Sequence, residues 1–284
     1  MKLCDGIHQI RIDFQVTPQV KRYVYVYLLE SAYCYLIDTG VAGSETIIAK
    51  YMKGIGRDVS EIKGIFLTHA HPDHIGSAAK LKALTGCRIY ASSGEQRWIE
   101  DIDLQYQERP IPNFYQLTGT SSIQVDRILH DGDTIQLEEQ LHLEAISTSG
   151  HSHDDFSFFL QEKRAVFTGD AIPVAEDIPI YIDPDKSLES LKRLDALSNQ
   201  VPLYCPAWDK AYRGREGNQA IEQAVTLIQT LEQNMAVLQQ EYPGASVGQY
   251  TRLLCDKIGR PELEKHPLFR RTVQSHVKQL EYQI

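Results

Sequence analysis

Thr68-His69-Ala70-His71-Pro72-Asp73-His74 places three histidines and one aspartate within six residues, directly after the apolar run Lys63 to Leu67. In a chain with ten histidines, a chance His-x-His-x-Asp-His is on the order of one in a thousand, so the pattern is specific. Neutral imidazoles and carboxylates bind zinc and similar divalent ions at roughly 2.0–2.2 Å. In an extended loop, residues i and i+2 point the same way, which lets His69 and His71 hold one ion together. Asp73 and His74 follow Pro72, which constrains the loop, and they can face a second ion beside the first.

Two histidines leave a metal under-coordinated, so further ligands must come from later in the chain. His151, in Thr148-Ser149-Gly150-His151-Ser152, follows the apolar strand around Leu143; Asp170, in Phe167-Thr168-Gly169-Asp170-Ala171, follows another. A glycine beside each allows close backbone approach. His153, Asp154 and Asp155 read as a turn or a cap. His8, His130, His142, His266 and His276 have no ligand partner nearby in sequence and read as structural or surface residues.

Around these motifs the chain begins as β structure. Ile7 to Ile12, Tyr23 to Leu29 and Tyr33 to Ile37 alternate, and Asp38-Thr39-Gly40 closes the last. A helix is expected from about Glu45 to Lys53, with Gly54 ending it, and another from Ile75 to Leu84, stopped by Gly86. Strands are expected at Arg88 to Ala91, Thr134 to Leu137, Leu141 to Ile146, Phe156 to Leu160 and Ala165 to Phe167. Residues from about Leu104 to Val125 lose periodicity, with Pro110, Pro112 and Gly119, and read as a lid or a mobile loop. Their aromatics Tyr106, Phe114 and Tyr115 either wall a pocket or pin the loop to the core.

Leu188, Leu191, Leu194 and Leu197 form a helical stripe. Composition shifts near Arg213, giving an expected helical tail. One apolar helical face runs from Ile221 through Leu231 to Leu238. Ser246 with Gln249 is a capping-box pattern, and Pro267 suits the first turn of a last helix with Leu268, Val273, Val277 and Leu280 inward. The expected domains are thus 1–212, carrying the chemistry, and 213–284, helical.

Composition narrows the function. The formal charge is −9 over 284 residues, an acidic balance that disfavours broad phosphate binding, since nucleic-acid affinity comes largely from cations displacing counterions. No run of eighteen apolar residues occurs, which excludes a spanning helix, and the start lacks the long apolar stretch of a signal peptide. The five cysteines, 4, 34, 87, 205 and 255, are an odd number without tight pairing. A reducing, cytoplasmic setting is the expectation, with Cys205 a buried inert thiol.

The order Leu36-Ile37-Asp38-Thr39-Gly40, Thr68 to His74, Gly150-His151-Ser152 and Thr168-Gly169-Asp170 resembles the metallo-β-lactamase superfamily, notably its glyoxalase II-like branch, over roughly residues 1 to 212. The resemblance implies an α/β fold, a four-layer αββα sandwich with metals at one edge, followed here by a helical appendage. Carried over motif by motif, it implies that His69, His71 and His151 bind one metal, that Asp73 and His74 bind the second, and that Asp170 bridges them. Asp38 is implied as a residue ordering the ligand loop. Two divalent ions, zinc first and iron or manganese as alternatives, are the implied cofactors.

One departure stands out. The family's final histidine, after a strand, matches Leu203 to Asp209 here, with Trp208 in its place, and tryptophan cannot ligate a metal. Three readings stay open: Asp209 takes over as an oxygen ligand, the second metal is weak or absent, or Trp208 forms a pocket wall. An oxygen-richer second site would tilt the preference toward manganese or iron. Trp208 and Tyr181 are the candidate substrate-pocket residues.

A divalent metal lowers the pKa of bound water to about 7, and Asp73 is placed to orient that nucleophile or return a proton to the leaving group. Ester-type hydrolysis of a small-molecule thioester or lactone is the first reading, by analogy with the glyoxalase II-like branch. A phosphodiesterase or nuclease of the same fold is one alternative; from Tyr250 onward there are seven Lys or Arg against four acidic residues, a thin footprint for nucleic acid. A mono-iron oxidoreductase acting on persulfides is the other, and a metal-binding protein without catalysis a third. The helical tail is expected to cap the core or to form a homodimer contact.

Overall fold

The computed structural model describes residues 1–17, 19–198 and 200–281, with side chains to 277; the expected inward position of Leu280 lies outside the described residues. Two compact units emerge from the chain. One comprises Met1–Ser147, Asp154–Gly169 and Cys205–Lys210, the other Thr148–His153, Asp170–Tyr204 and Ala211–Ile284.

The first sheet runs in sequence order, from β1 (Lys2–Cys4), β2 (Ile7–Thr17), β3 (Val20–Glu30) and β4 (Cys34–Ile37) to β5 (Ile62–Phe66), β6 (Arg88–Ser92) and β7 (Arg127–Leu129). Its first four strands are antiparallel, and the rest are parallel. Parallel neighbours need crossovers, supplied by α1 (Ser44–Gly54), by α2 (Pro72–Ile75) with α3 (Ala78–Thr85), and by α4 (Ser93–Glu100), α5 (Ile102–Glu108) and α6 (Phe114–Thr118). Ile48 and Met52 of α1, Leu81 of α3 and Ile99 of α4 share one core with Ile10, Val24, Leu28, Ile65 and Ile89 of the sheet.

The second sheet has the order β13-β12-β11-β10-β9-β8, from β8 (Thr134–Glu138), β9 (Leu141–Ser147), β10 (Phe156–Leu160) and β11 (Ala165–Gly169) to β12 (Leu203–Pro206) and β13 (Tyr212–Arg213). Its aromatics meet the inner face of the first sheet. Phe158 lies edge-on to Phe66 at 5.6 Å between ring centres, and Phe167 tilts against Tyr27 at 5.2 Å. The Tyr27 hydroxyl donates to the Pro206 carbonyl at 2.6 Å, so the buried phenol is satisfied between the sheets. With helices on the first sheet and a helical C-terminal segment, this is the metallo-β-lactamase sandwich expected from the motifs.

The other unit is built from α7 (Pro184–Ala196), α8 (Arg215–Glu241), α9 (Val247–Ile258) and α10 (Pro267–Glu281). Asp183 caps α7 by accepting from Lys186 N, the Ser246–Gln249 capping box opens α9, and Pro267 begins α10 as expected. Ile221, Ala224, Ile228, Leu231, Met235 and Leu238 form the buried face of α8. No helix of the described residues is long and apolar enough to cross a membrane.

The compact units divide the chain differently from the boundary expected at 212/213, because α7 and the start of β12 pack with α8. A Cβ on Gly217 would stand 2.3 Å from the Tyr204 ring, the Tyr204 hydroxyl donates to Leu194 O at 3.2 Å, and Asn218 donates to the Asp195 carboxylate at 2.9 Å. Two local readings are refined. The helix expected from Ile75 to Leu84 is observed as α3 from Ala78, after a turn at Gly76, where a Cβ would meet Leu117 O at 2.3 Å and Ala42 N at 2.4 Å. The stretch from 104 to 125 is not structureless: α5 and α6 are too short to display a 3.6-residue period, and Phe114 and Leu117 are core residues. Phe114 pins this segment, with Tyr106 tilted against it and Tyr115 edge-on, both exposed.

Candidate metal centre

Leaving β5, the chain meets Asp38, whose carboxylate organises everything that follows. One oxygen accepts the Thr68 backbone N–H at 2.8 Å; the other accepts the Thr68 hydroxyl and His74 Nδ1, both at 2.8 Å. Asp38 itself sits at φ 60°, a conformation that Asp and Asn tolerate better than other side chains.

These bonds set tautomers. A hydroxyl has one proton, and that of Thr68 goes to Asp38. Toward His69 Nδ1, 3.0 Å away, the same oxygen can only accept, so Nδ1 carries the hydrogen and Nε2 carries the lone pair. His74 donates from Nδ1 to a carboxylate and likewise presents Nε2. His71 turns Nδ1 toward His69 Nε2, 2.9 Å away. The His69 ring centre stands 4.5 Å from that of His71 and 4.0 Å from that of His74. All three rings are buried, at 1%, 5% and 0% exposure. Pro72 is the first residue of α2, which puts Asp73 in its first turn with Oδ2 3.9 Å from His74 Nε2.

The loop is braced from outside by residues that the sequence did not single out. Ala70, between the two histidines, donates its N–H to Glu95 Oε2 at 2.9 Å, and its carbonyl accepts from Gln105 Nε2 at 2.6 Å. The other oxygen of Glu95 accepts from Asp154 N at 3.0 Å. Ser92-Ser93-Gly94-Glu95 has the form of a capping box, yet Ser92 makes no side-chain cap; its hydroxyl donates to Asp154 O at 2.6 Å, and Gly94 N donates to the Asp154 carboxylate at 2.9 Å. The helix-start pattern thus disguises a tertiary contact.

In the second unit, Gly150 has φ 133°, and a Cβ there would lie 2.3 Å from Ser187 Oγ, which bears out the close approach expected beside His151. His151 Nδ1 meets Ile180 O at 2.8 Å, a carbonyl that can only accept, so this ring also presents Nε2. Nε2 lies 3.3 Å from Asp170 Oδ2. Two ligand atoms at ~2.05 Å from a tetrahedral zinc stand ~3.3 Å apart. The donor pair 151/170, at 3.3 Å, has this spacing, and the pair 69/71, at 2.9 Å, is closer.

The remaining candidates lie elsewhere. Asp209 is exposed, at φ 62°, with its N–H donated to the Tyr23 hydroxyl at 3.1 Å. Among the described residues it joins no group of three donors within 4.8 Å of one another, and neither does Asp73. Trp208 tilts against Tyr23 at 5.9 Å between ring centres, with the Arg22 guanidinium 4.7 Å above its ring. Tyr181 is 1% exposed, and its hydroxyl lies 2.9 Å from His276 Nε2.

Comparison with known proteins bears on the family and the fold. The family model of the metallo-beta-lactamase superfamily matches residues 20–207. A hydroxyacylglutathione hydrolase of Hyphomonas neptunium is 30% identical over 51% of this chain and 47% of its own length. A beta-lactamase-like protein 2 homolog of Caenorhabditis elegans is 29% identical over 62% and 53%. The chain spans about half the length of these curated relatives. A metallo-beta-lactamase family protein of Thermus thermophilus superposes with a TM-score of 0.77 at 18% identity, covering 99% of this chain and 95% of that one. A beta-lactamase domain protein of Burkholderia ambifaria gives 0.75 at 17%, over 100% and 88%. A motif order, a two-sheet fold and a family model spanning most of the chain converge: the chain belongs to the metallo-beta-lactamase superfamily.

Proposed function

We propose that this chain is a metal-dependent hydrolase of ester-type bonds, acting on a small-molecule thioester or lactone. In this reading His69, His71 and His151 would hold one divalent ion, Asp73 and His74 would hold a second, and Asp170 would serve both. The observation that carries it is tautomer control: His69, His74 and His151 each give Nδ1–H to an oxygen and keep an Nε2 lone pair for a cation. The chain path supports it too. A Cβ on Gly169 would lie 2.7 Å from Thr68 Oγ1, and Asp170 is the next residue. Zinc is the ion assigned, on the strength of the imidazole-rich first set.

When bound, such ions lower the pKa of water to about 7 and polarise the carbonyl under attack. The chain's own contribution is orientation and proton handling. Asp38 and Thr68 keep the ring hydrogens off the ligating nitrogens. Asp73, with its side chain 21% exposed beside sealed imidazoles, takes a proton from the attacking water and returns it to the leaving thiol or alcohol. The names of the curated relatives make a hydroxyacylglutathione, a thioester, the first substrate to try.

The test is elemental analysis of the purified protein followed by turnover of that thioester, of a lactone and of a phosphodiester, before and after chelation. Thioester or lactone turnover that disappears with the metal and returns on its readdition is expected. Turnover indifferent to chelation sinks the reading; phosphodiester turnover alone moves the chain to the nuclease class.

A further inference from the structure

We infer that Glu95, seconded by Gln105, is a positioning residue for the ion site, acting as a clasp that fixes the backbone carrying His69 and His71; the inference rests on the metal-site reading above. Ala70 is the single residue between the two imidazoles, and both of its peptide groups are taken by side chains from outside the loop. Glu95 receives its N–H at 2.9 Å, and Gln105 gives to its carbonyl at 2.6 Å. These side chains are 1% and 0% exposed, where an unmade hydrogen bond is costly, so Ala70 has little freedom to rotate. The directions of the residues on either side are thereby set.

The clasp has a second jaw. Glu95 Oε1 takes Asp154 N at 3.0 Å, Ser92 gives its hydroxyl to Asp154 O at 2.6 Å, and Gly94 N donates to the Asp154 carboxylate at 2.9 Å. Gly94 is obligatory at this contact, because a Cβ would stand 2.4 Å from that of Asp154. Asp154 follows His151 by three residues. One carboxylate therefore spans two segments that each carry ligands in the proposed site. The chemistry needs an acceptor on both oxygens, which a carboxylate provides and an amide does not: in Glu95→Gln the NH2 group faces an N–H at one jaw or the other.

The experiment compares wild type, Glu95→Gln and Gln105→Met. Zinc affinity is measured by competition with a chromophoric chelator, the cobalt(II)-substituted site by its absorption spectrum, and the metal-free proteins by thermal unfolding. Partners behind metal ligands are worth roughly 10- to 100-fold in affinity, and a loss of that size with a changed cobalt spectrum is expected in both variants. Wild-type affinity and spectrum in both variants, whatever the melting temperature, overturns the assignment. If Glu95→Gln does not fold, Gln105→Met, which removes one donor, carries the test alone. Wild-type protein that binds neither zinc nor cobalt overturns the parent reading, and this is read without any variant.

Discussion

His69 and His74 in the ligand loop and His276 in α10 are the same residue type, almost equally hidden, at 1%, 0% and 3% exposure. Their partners differ in kind. In the loop, acceptor oxygens of Thr68 and Asp38 sit on Nδ1, and Nε2 is turned to His71 Nδ1 in His69 and toward Asp73 in His74. In α10, the phenol of Tyr181 sits on Nε2, and burial, opposed weakly by Asp185, pushes the imidazole down to about 4. His8 has both nitrogens engaged, by Tyr51 at 3.0 Å and Glu30 at 2.8 Å. Burial alone does not separate the histidines of the proposed site from those of the core; the chemistry of their neighbours differs.

The comparison breaks most visibly at His71. His71→Ala removes one of two nitrogens that stand 2.9 Å apart, and metal content and turnover should fall together to background, measured by elemental analysis and the thioester assay. Normal turnover with full metal content would end the ligand assignment. The contrasting histidine should act on stability alone. With a folded pKa of about 4 against roughly 6.5 unfolded, the unfolded chain holds the extra proton between those values. Stability is therefore complete above about pH 7 and drains away as pH falls toward 4. In metal-free protein, the urea-unfolding free energy should drop from pH 7.5 to 5.0 by about 2 kcal/mol more in wild type than in His276→Gln. Equal pH profiles would remove His276 from the account.

A smaller effect is expected at Asp38. Asp38→Asn keeps a residue suited to φ 60° but places an amide against His74 Nδ1–H or the Thr68 donors. Metal affinity should weaken roughly 10- to 100-fold with the fold intact. Unchanged affinity in a chelator competition would show that tautomer control is not what the carboxylate supplies.

How much of this was legible depends on where the physics is local. The ligand types, their order and the glycines at 150 and 169 are written in contiguous motifs. The helices from 221 onward announce themselves by period, Ser246 with Gln249 by its cap, and Pro267 by position. Glu95 and Gln105 had no such signal. Glu95 sits in a pattern that ordinarily means a helix start, and its real partners lie 25 and 59 positions away in the chain. Gln105 fell in a stretch whose one- and two-turn helices carry no period. The grouping of 170–204 with 211–284 was equally hidden, since it includes contacts such as that of the Tyr204 ring with Gly217, which neither residue type advertises.

The turn after β12 gives the smallest effect and sharpens the contrast with the loop after β5. Both follow buried strands, but one is fixed by carboxylates on its backbone and the other by aromatic faces. Trp208 rests on Tyr23 and beneath Arg22, and Tyr23 holds Asp209 in the left-handed region. An aromatic pair contributes about 0.5–1.5 kcal/mol and an exposed cation–π contact about 0.5–1. Trp208→Ala should therefore cost about 1–2 kcal/mol in unfolding experiments and leave zinc stoichiometry and affinity as in wild type. If the variant instead lost an equivalent of zinc at unchanged stability, the indole would be bracing the ion site, and the two turns would differ in residue type while sharing a task.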